Sequence, residues 1–183
     1  MKIQAEGLDV CDNNSSNIAV RHLRETDAET ISAAFREQGW EKPAEQYLRY
    51  WEEQARGERV SWIAEADGLF AGYVNVVWQS AYPSFRARQI PEIQDFNVLI
   101  RYRRRGIGSM LMDRAEATIG ERSSIAGLGV GLFSDYGAAQ VLYGKRGYIP
   151  DGNGIYWNDA YVRYGEQVVA DDDLNLFLVK MLR

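Results

Sequence analysis

Residues 101–109 read RYRRRGIGS and hold four arginines and two glycines. It follows a segment of strand character at 92–99 and runs into residues 107–119, whose apolar positions recur at helical spacing. A helix therefore begins directly on Gly106 and Gly108. Glycine lets a backbone approach a ligand closely, and a helix start presents unpaired N–H groups and the positive end of the dipole. With four arginines beside it, this turn is typical of an anion site.

The overall charge of the chain limits which anion the turn binds. The 183 residues include 21 Lys and Arg against 26 Asp and Glu, a net charge of −5 that repels a polyanion such as DNA. We therefore expect no nucleic-acid partner and favour a compact ligand such as a pyrophosphate. A P-loop requires Gly-Lys-Ser/Thr, which does not follow here, and a dinucleotide fingerprint requires glycine where Leu111 stands.

Length and composition are those of one globular domain, with 46% hydrophobic and 26% charged residues. Residues 1–17 look irregular, and we expect a single domain over 18–183. Cys11, the sole cysteine, cannot close an internal disulfide, and neither a secretory signal nor the run of about 18 apolar residues that spans a bilayer is present. We expect a cytoplasmic protein with no membrane partner.

Because His22 is the only histidine, we expect neither a catalytic triad nor a metal site.

The chain alternates strand and helix signals from one end to the other. The predicted strands are 18–23, 60–66, 69–78, 92–99, 125–133 and 174–182, and the predicted helices follow Thr26 and Pro43, start at 107, and span 138–146. Residues 81–89 are predicted to be an aromatic and basic loop, and 148–164 a turn-rich segment whose turn is 151–154. The N-terminal strands are predicted to pair antiparallel, and one later βαβ crossover adds a parallel pair. This combination predicts an α/β fold with a mixed, twisted sheet.

Two motifs carry a resemblance to a known family. Residues 103–108, RRRGIG, fit the Q/R-x-x-G-x-G/A signature of the GNAT superfamily of acyl-CoA-dependent N-acetyltransferases, and they join a strand to a helix as in that family. Residues 139–148, AQVLYGKRGY, resemble the family's A-x-x-L-Y-x-x-x-G-F/Y helix. The predicted element order over 18–183 is also similar. The resemblance implies a mostly antiparallel sheet flanked by helices, with a central parallel pair splayed around the cofactor.

The resemblance also implies acetyl-CoA as the acyl donor and a set of residues that bind it. Backbone N–H groups of the glycine turn would hold the pyrophosphate, and the strand before it would pair with the pantetheine as an added strand. The implied cofactor contacts are Phe96, Asn97, Val98, Arg103, Arg104, Arg105, Gly106, Ile107, Gly108, Ser109, Asp135, Tyr136 and Tyr143. Glycines alternate at 127, 129 and 131. They either ease the approach of the pantetheine to this strand or allow a helix to pack closely against it.

Candidate catalytic residues follow from the same resemblance. Tyr143 matches the family's usual general acid, because a phenol with a pKa near 10 stays protonated at neutral pH and can protonate the departing thiolate. The amine must lose a proton before it attacks, so a base is also needed. Glu92 is the first candidate, at a position where some members carry a catalytic glutamate, and Asp95 or an ordered water is the alternative.

One departure from the family pattern leaves alternatives open. Tyr136 stands where many members carry asparagine, and Asp135 or Ser134 either substitutes for that amide or caps the helix. A CoA-binding regulatory or degenerate module without transfer activity is therefore an alternative. On the arginines alone, a nucleotide or RNA module is another.

The resemblance implies N-acetyl transfer to a primary amine, in a small molecule or a peptide that the sequence does not identify. Homodimerisation, common in the family, also stays open.

Overall fold

The computed structural model describes residues 17–182, so Cys11 and nearly all of the irregular segment 1–17 lie outside the described chain. The strands are β1 (Ile18–His22), β2 (Arg59–Ala66), β3 (Leu69–Val77), β4 (Glu92–Val98), β5 (Ile125–Gly131), β6 (Ile149–Trp157), β7 (Ala160–Tyr161) and β8 (Asn175–Met181). The helices are α1 (Ala28–Glu37), α2 (Ala44–Ala55), α3 (Pro83–Ala87), α4 (Ile107–Gly120) and α5 (Gly137–Lys145). No helix of residues 17–182 is long and apolar enough to cross a bilayer.

All eight strands form one sheet in the order β1-β2-β3-β4-β5-β8-β6-β7. β4 and β5 run parallel, and the other neighbouring strands run antiparallel. Helices α1 and α2 cover one face, where Tyr73 of β3 packs edge-to-face against Phe35 and Tyr47. Helix α4 covers the other face, where Trp62 donates a hydrogen bond to Thr118 (2.9 Å). The predicted α/β fold with a mixed, mostly antiparallel sheet flanked by helices is confirmed.

The parallel pair in the centre of the sheet separates soon after it forms. β4 pairs with β5 in two register positions, Glu92 with Gly127 and Ile93 with Leu128, and then continues to Val98 without a partner on that side. A bulge against β3 bends β4 at this point, where Asp95 has a φ of +45°. The predicted splayed pair is thus confirmed, and it leaves a gap in the middle of the sheet.

The alternating glycines of β5 make room for aromatic rings on the face of α1 and α2. A Cβ at Gly127 would overlap the ring of Phe85, and one at Gly129 would lie 3.1 Å from Phe177. A Cβ at Gly131 would overlap the ring of Tyr136. This packing favours the second of the two roles predicted for these glycines.

Gly127→Ala is expected to destabilise the fold by about 1–3 kcal/mol, because an added methyl group overlaps the buried Phe85 ring. Urea unfolding measures the change. Gly120→Ala is the matched control, since a Cβ at this helical position meets nothing within 4 Å and alanine is the better helix former. Equal stabilities of the two variants would contradict the packing role of Gly127.

Two predicted segments differ from the structure. Residues 81–89 are not wholly a loop, because α3 forms within them and buries Phe85 completely. Residues 151–154 do not reverse the chain, because β6 pairs with β8 on both sides of them, at 149–150 and at 155–156. The four residues bulge out of the pairing, with positive φ at Gly152 and Gly154. The turn lies instead at Asn158 and Asp159, both with positive φ, and it leads into β7. In each case a contact with a distant strand, which the local sequence does not show, fixes the path of the segment.

Glu116 of α4 connects three elements. It accepts hydrogen bonds from Arg146, just after α5 (2.9 Å), and from Lys180 of β8 (2.7 Å). Burial alone would raise the pKa of Glu116, but these two cations outweigh burial and lower it. The carboxylate therefore binds its proton less readily in the folded state than in the unfolded state, so it stabilises the fold at neutral pH.

Glu116→Gln is expected to cost about 1–2 kcal/mol of unfolding free energy at pH 7. Since the folded-state pKa is lowered, the contribution is present above the unfolded value of 4.5 and is lost as pH falls through the folded value. The difference between wild type and variant should shrink between pH 7 and pH 3 in urea unfolding. Glu121→Gln, at an exposed position just after the same helix, should show no such trend. A pH-independent difference for Glu116→Gln would contradict this assignment.

Candidate active site

The glycine turn between β4 and α4 presents free backbone donors. Gly106 caps the helix with a φ of +81°, and Arg104 before it also has a positive φ of +64°. The helical ladder starts with the Met110 N–H, which donates to the Gly106 carbonyl (3.1 Å). The N–H groups of residues 107–109 precede that ladder and point out of the helix start, where an anion is stabilised.

The arginines of this turn lie at the surface around those donors. Arg103 donates from Nε to the Val98 carbonyl (3.1 Å) and lies over the Trp40 ring (5.6 Å). Arg105 lies over Tyr102 (5.5 Å), and the side chains of residues 103–105 are all exposed. Positive charge therefore surrounds the helix start, as a pyrophosphate site requires.

The free edge of β4 borders the gap in the sheet. The Leu99 N–H donates to the Ala71 carbonyl on the β3 side (2.9 Å). N–H directions alternate along a strand, so the Val98 N–H and carbonyl point toward the gap. Phe96 faces α4 there, since a Cβ on Gly108 would lie 3.2 Å from its ring. An extended ligand can add to this edge as a strand does.

Tyr143 of α5 lies on the α4 face beside the gap. Its ring centroid is 6.5 Å from that of Phe96 and 6.0 Å from that of Tyr148. Burial raises the pKa of the Tyr143 phenol above its usual value, with a smaller contribution from Tyr136, and no hydrogen bond contributes to the shift. The hydroxyl is therefore protonated at neutral pH and free to donate.

Glu92 lies where β4 and β5 are still paired, just before the gap opens, and it is on the opposite face of the sheet from Tyr143. Its register partner Gly127 meets Phe85 of α3, whereas Tyr143 lies on the α4 face. Glu92 is 6% exposed as a residue, and its Oε2 accepts hydrogen bonds from Ser80 and Gln94. Burial raises the pKa of Glu92, and those two hydrogen bonds offset part of the rise. No hydrogen bond from residues 17–182 reaches Oε1.

Asp95, the second candidate base, is the centre of a polar network between β4 and α2. The donors to its two oxygens are Lys42 (2.9 Å), Gln46 (2.9 Å), Tyr50 (3.0 Å), Tyr73 (2.5 Å) and Asn97 (2.8 Å). The predicted contact residue Asn97 thus directs its amide to Asp95 rather than into the gap. The Lys42, Gln46, Tyr50 and Tyr73 side chains were not predicted. Gln46 and Tyr50 share a helix face by i,i+4 spacing, but no sequence signal relates them to Asp95.

The two residues before α5 are placed differently from each other. Asp135 is exposed, and its carboxylate meets the Ser134 hydroxyl at 3.3 Å. Tyr136 packs its ring on Gly131 and donates its hydroxyl to Asp172 (3.0 Å). Burial and that hydrogen bond raise the pKa of Tyr136 to about 12. Among residues 17–182, no group of three or more Asp, Glu, His or Cys side chains is placed to hold a metal ion.

The sequence matches the model of a known protein family. Residues 21–148 match the acetyltransferase (GNAT) family. The chain belongs to the GNAT family. It is an acyl-CoA-dependent N-acyltransferase, as the glycine turn and the α5 motif predicted. None of the proteins with curated functions matches its sequence significantly.

Solved structures of GNAT proteins share this fold. An N-acetyltransferase from Staphylococcus aureus Mu50 is 17% identical with a TM-score of 0.68, covering 92% of this chain and 100% of its own. A proposed acetyltransferase from Salmonella typhimurium, solved with its cofactor acetyl-CoA, is 17% identical with a TM-score of 0.64 over 91% and 94%. A ribosomal-protein-alanine N-acetyltransferase from Brucella melitensis is 20% identical with a TM-score of 0.64 over 90% and 99%.

Proposed function

We propose that this GNAT protein transfers an acetyl group from acetyl-CoA to a primary amine of a small-molecule or peptide acceptor, by direct attack while both substrates are bound. The observation that carries this proposal is the free edge of β4 beside a glycine turn, with Tyr143 at one face of the gap and Glu92 at the other. Acetyl-CoA would supply the acetyl group activated as a thioester.

The residues around the gap fit acetyl-CoA. The donors at 107–109 and the charges of 103–105 suit its pyrophosphate. The Val98 N–H suits an amide of its pantetheine arm, which would extend β4 toward β5, while the Val98 carbonyl is shared with Arg103 Nε. Gly108 keeps the helix start close to Phe96, so the cofactor end of the gap is bounded by backbone and one ring.

Two side chains have the properties that the proton transfers need. Tyr143 would donate its phenolic proton to the sulfur as the C–S bond breaks, since its raised pKa keeps that proton in place until then. Glu92 would accept the proton that the amine loses as the new C–N bond forms, directly or through one water. Asp95 suits this role less, because five hydrogen bonds already occupy its oxygens.

A panel of primary amines with acetyl-CoA tests the proposal. Transfer is followed as release of the CoA thiol and as the mass of the acetylated amine. We expect amine-dependent release. Tight acetyl-CoA binding without transfer to any amine would instead indicate the degenerate CoA-binding module. Salt-dependent binding to oligonucleotides without acetyl-CoA binding would indicate the nucleic-acid module.

A further inference from the structure

A cavity of about 220 Å³ opens on the face of the sheet opposite to Tyr143. It lies between β4, the loop before α3, the β6–β7 turn and the start of β8. Its lining residues are Ala81, Tyr82, Glu92, Gln94, Tyr156, Asn158, Asp159, Asp173, Asn175 and Phe177. Glu92, the proposed base, is therefore part of its wall, which connects the cavity to the reaction site.

The charged groups of this cavity are all carboxylates. Glu92, Asp159 and Asp173 line it, and its lining includes no Lys, Arg or His. Glu92 is buried and marks the inner end, while Asp159 and Asp173 are exposed and mark the outer end. The Glu92 Oε1 accepts no hydrogen bond from residues 17–182 and stays accessible from the cavity, so it can accept a hydrogen bond from a molecule bound there.

Aromatic rings form the wall between the two ends. Tyr82 stacks on Phe177 with ring centroids 3.6 Å apart, and Tyr156 meets Tyr82 edge-to-face at 5.0 Å. All three residues are buried, and the Tyr82 hydroxyl is held by Asp151 (2.9 Å). Such rings suit a methylene chain along their edges and an ammonium group near their faces.

We infer that the acceptor is a short alkyl diamine, whose reacting nitrogen lies at Glu92 and whose second ammonium group lies between Asp159 and Asp173. This inference rests on the proposed function and names its substrate class. The cavity has the volume of about seven liquid waters, enough for a short alkyl chain with an amine at each end. A monoamine would use the inner carboxylate and the rings but would leave the outer pair of charges without a partner.

Binding of 1,4-diaminobutane and of n-butylamine tests the inference. Titration calorimetry is performed on the full chain, alone and with saturating CoA, which carries no acetyl group. We expect the diamine to bind at least about tenfold more tightly than the monoamine. Asp159→Asn combined with Asp173→Asn should remove that preference and leave monoamine binding unchanged. Glu29→Gln, at an exposed carboxylate of α1, is the control and should change neither affinity.

Equal affinity for the two amines, or an unchanged preference in the Asp159/Asp173 double variant of unaltered thermal stability, would overturn the inference. Tighter binding of a peptide amine than of the diamine would also overturn it. These outcomes leave the proposed function intact if acetyl transfer to any amine is seen. Diamine-selective binding without transfer would support the cavity assignment and refute the proposed reaction.

Discussion

Replacing Tyr143 with phenylalanine is expected to lower kcat by about 10²–10⁴-fold. The hydroxyl is the group that protonates the leaving sulfur, and without it the thiolate must depart unprotonated or take a proton from water. The ring packs beside Phe96 and Tyr148 and is retained in the variant, so acetyl-CoA affinity and thermal stability should stay close to wild type. Steady-state kinetics with saturating acetyl-CoA and amine measure the effect, and calorimetry with acetyl-CoA measures binding.

Tyr148→Phe is the matched control for this experiment. Tyr148 lies against Tyr143, and its buried hydroxyl has no hydrogen-bond partner among residues 17–182, so its removal should leave kcat nearly unchanged. Unchanged turnover in Tyr143→Phe would remove Tyr143 from the acid role. Equal losses in the two variants would show that ring packing, rather than the Tyr143 hydroxyl, supports the rate.

Glu92→Gln is expected to reduce kcat/KM by a similar factor, about 10²–10⁴, at neutral pH. The carboxylate accepts a proton only when it is deprotonated, and burial raises its pKa above the usual 4.5. In the wild type, kcat/KM should therefore fall on the acid side of the profile, at a higher pH than for an exposed glutamate. Glutamine keeps the size of the side chain and accepts no proton, so the variant should lose this acid limb.

Asp95→Asn separates the two carboxylates of β4. Its main expected effect is on the network that joins β4 to α2, so stability should fall while the acid limb of the pH profile remains. Persistence of the wild-type profile in Glu92→Gln, with its loss in Asp95→Asn, would assign the base to Asp95. Persistence in both variants would leave an ordered water as the proton acceptor.

Local signals in the sequence were enough to predict the centre of this fold. Gly106 and Gly108 mark the start of α4 through local sequence alone. The residues of β4 before them have a clear strand pattern. Asp67-Gly68 likewise forms the predicted turn between β2 and β3. The 174–182 strand, apolar on both faces, lies inside the sheet between β5 and β6. Each of these features depends on residues within a few positions of each other.

The features that sequence did not predict depend on distant contacts. Helix α3 forms where Phe85 packs on Gly127, which is far away in the sequence. No pattern within 81–89 predicts that contact. β6 stays one strand across the glycine-rich stretch at 151–154 because β8 pairs with it on both sides, at 149–150 and at 155–156. The sequence alone allows Asp95 to be either a base or a structural residue. The side chains that surround it come mainly from α2 and β3, which are distant in the sequence. Tertiary packing decides each of these cases.

Thermal unfolding with acetyl-CoA tests most directly whether the gap beside the glycine turn is a CoA site, with dephospho-CoA and ATP as comparison ligands. Ligand at about 100-fold its dissociation constant adds about 2.7 kcal/mol, which for a chain of this size raises Tm by about 5–10 °C. We expect such a rise with acetyl-CoA and a smaller one with either comparison ligand at equal concentration. No rise, or an equal rise with ATP, would contradict the assignment of the arginine and glycine turn to acetyl-CoA.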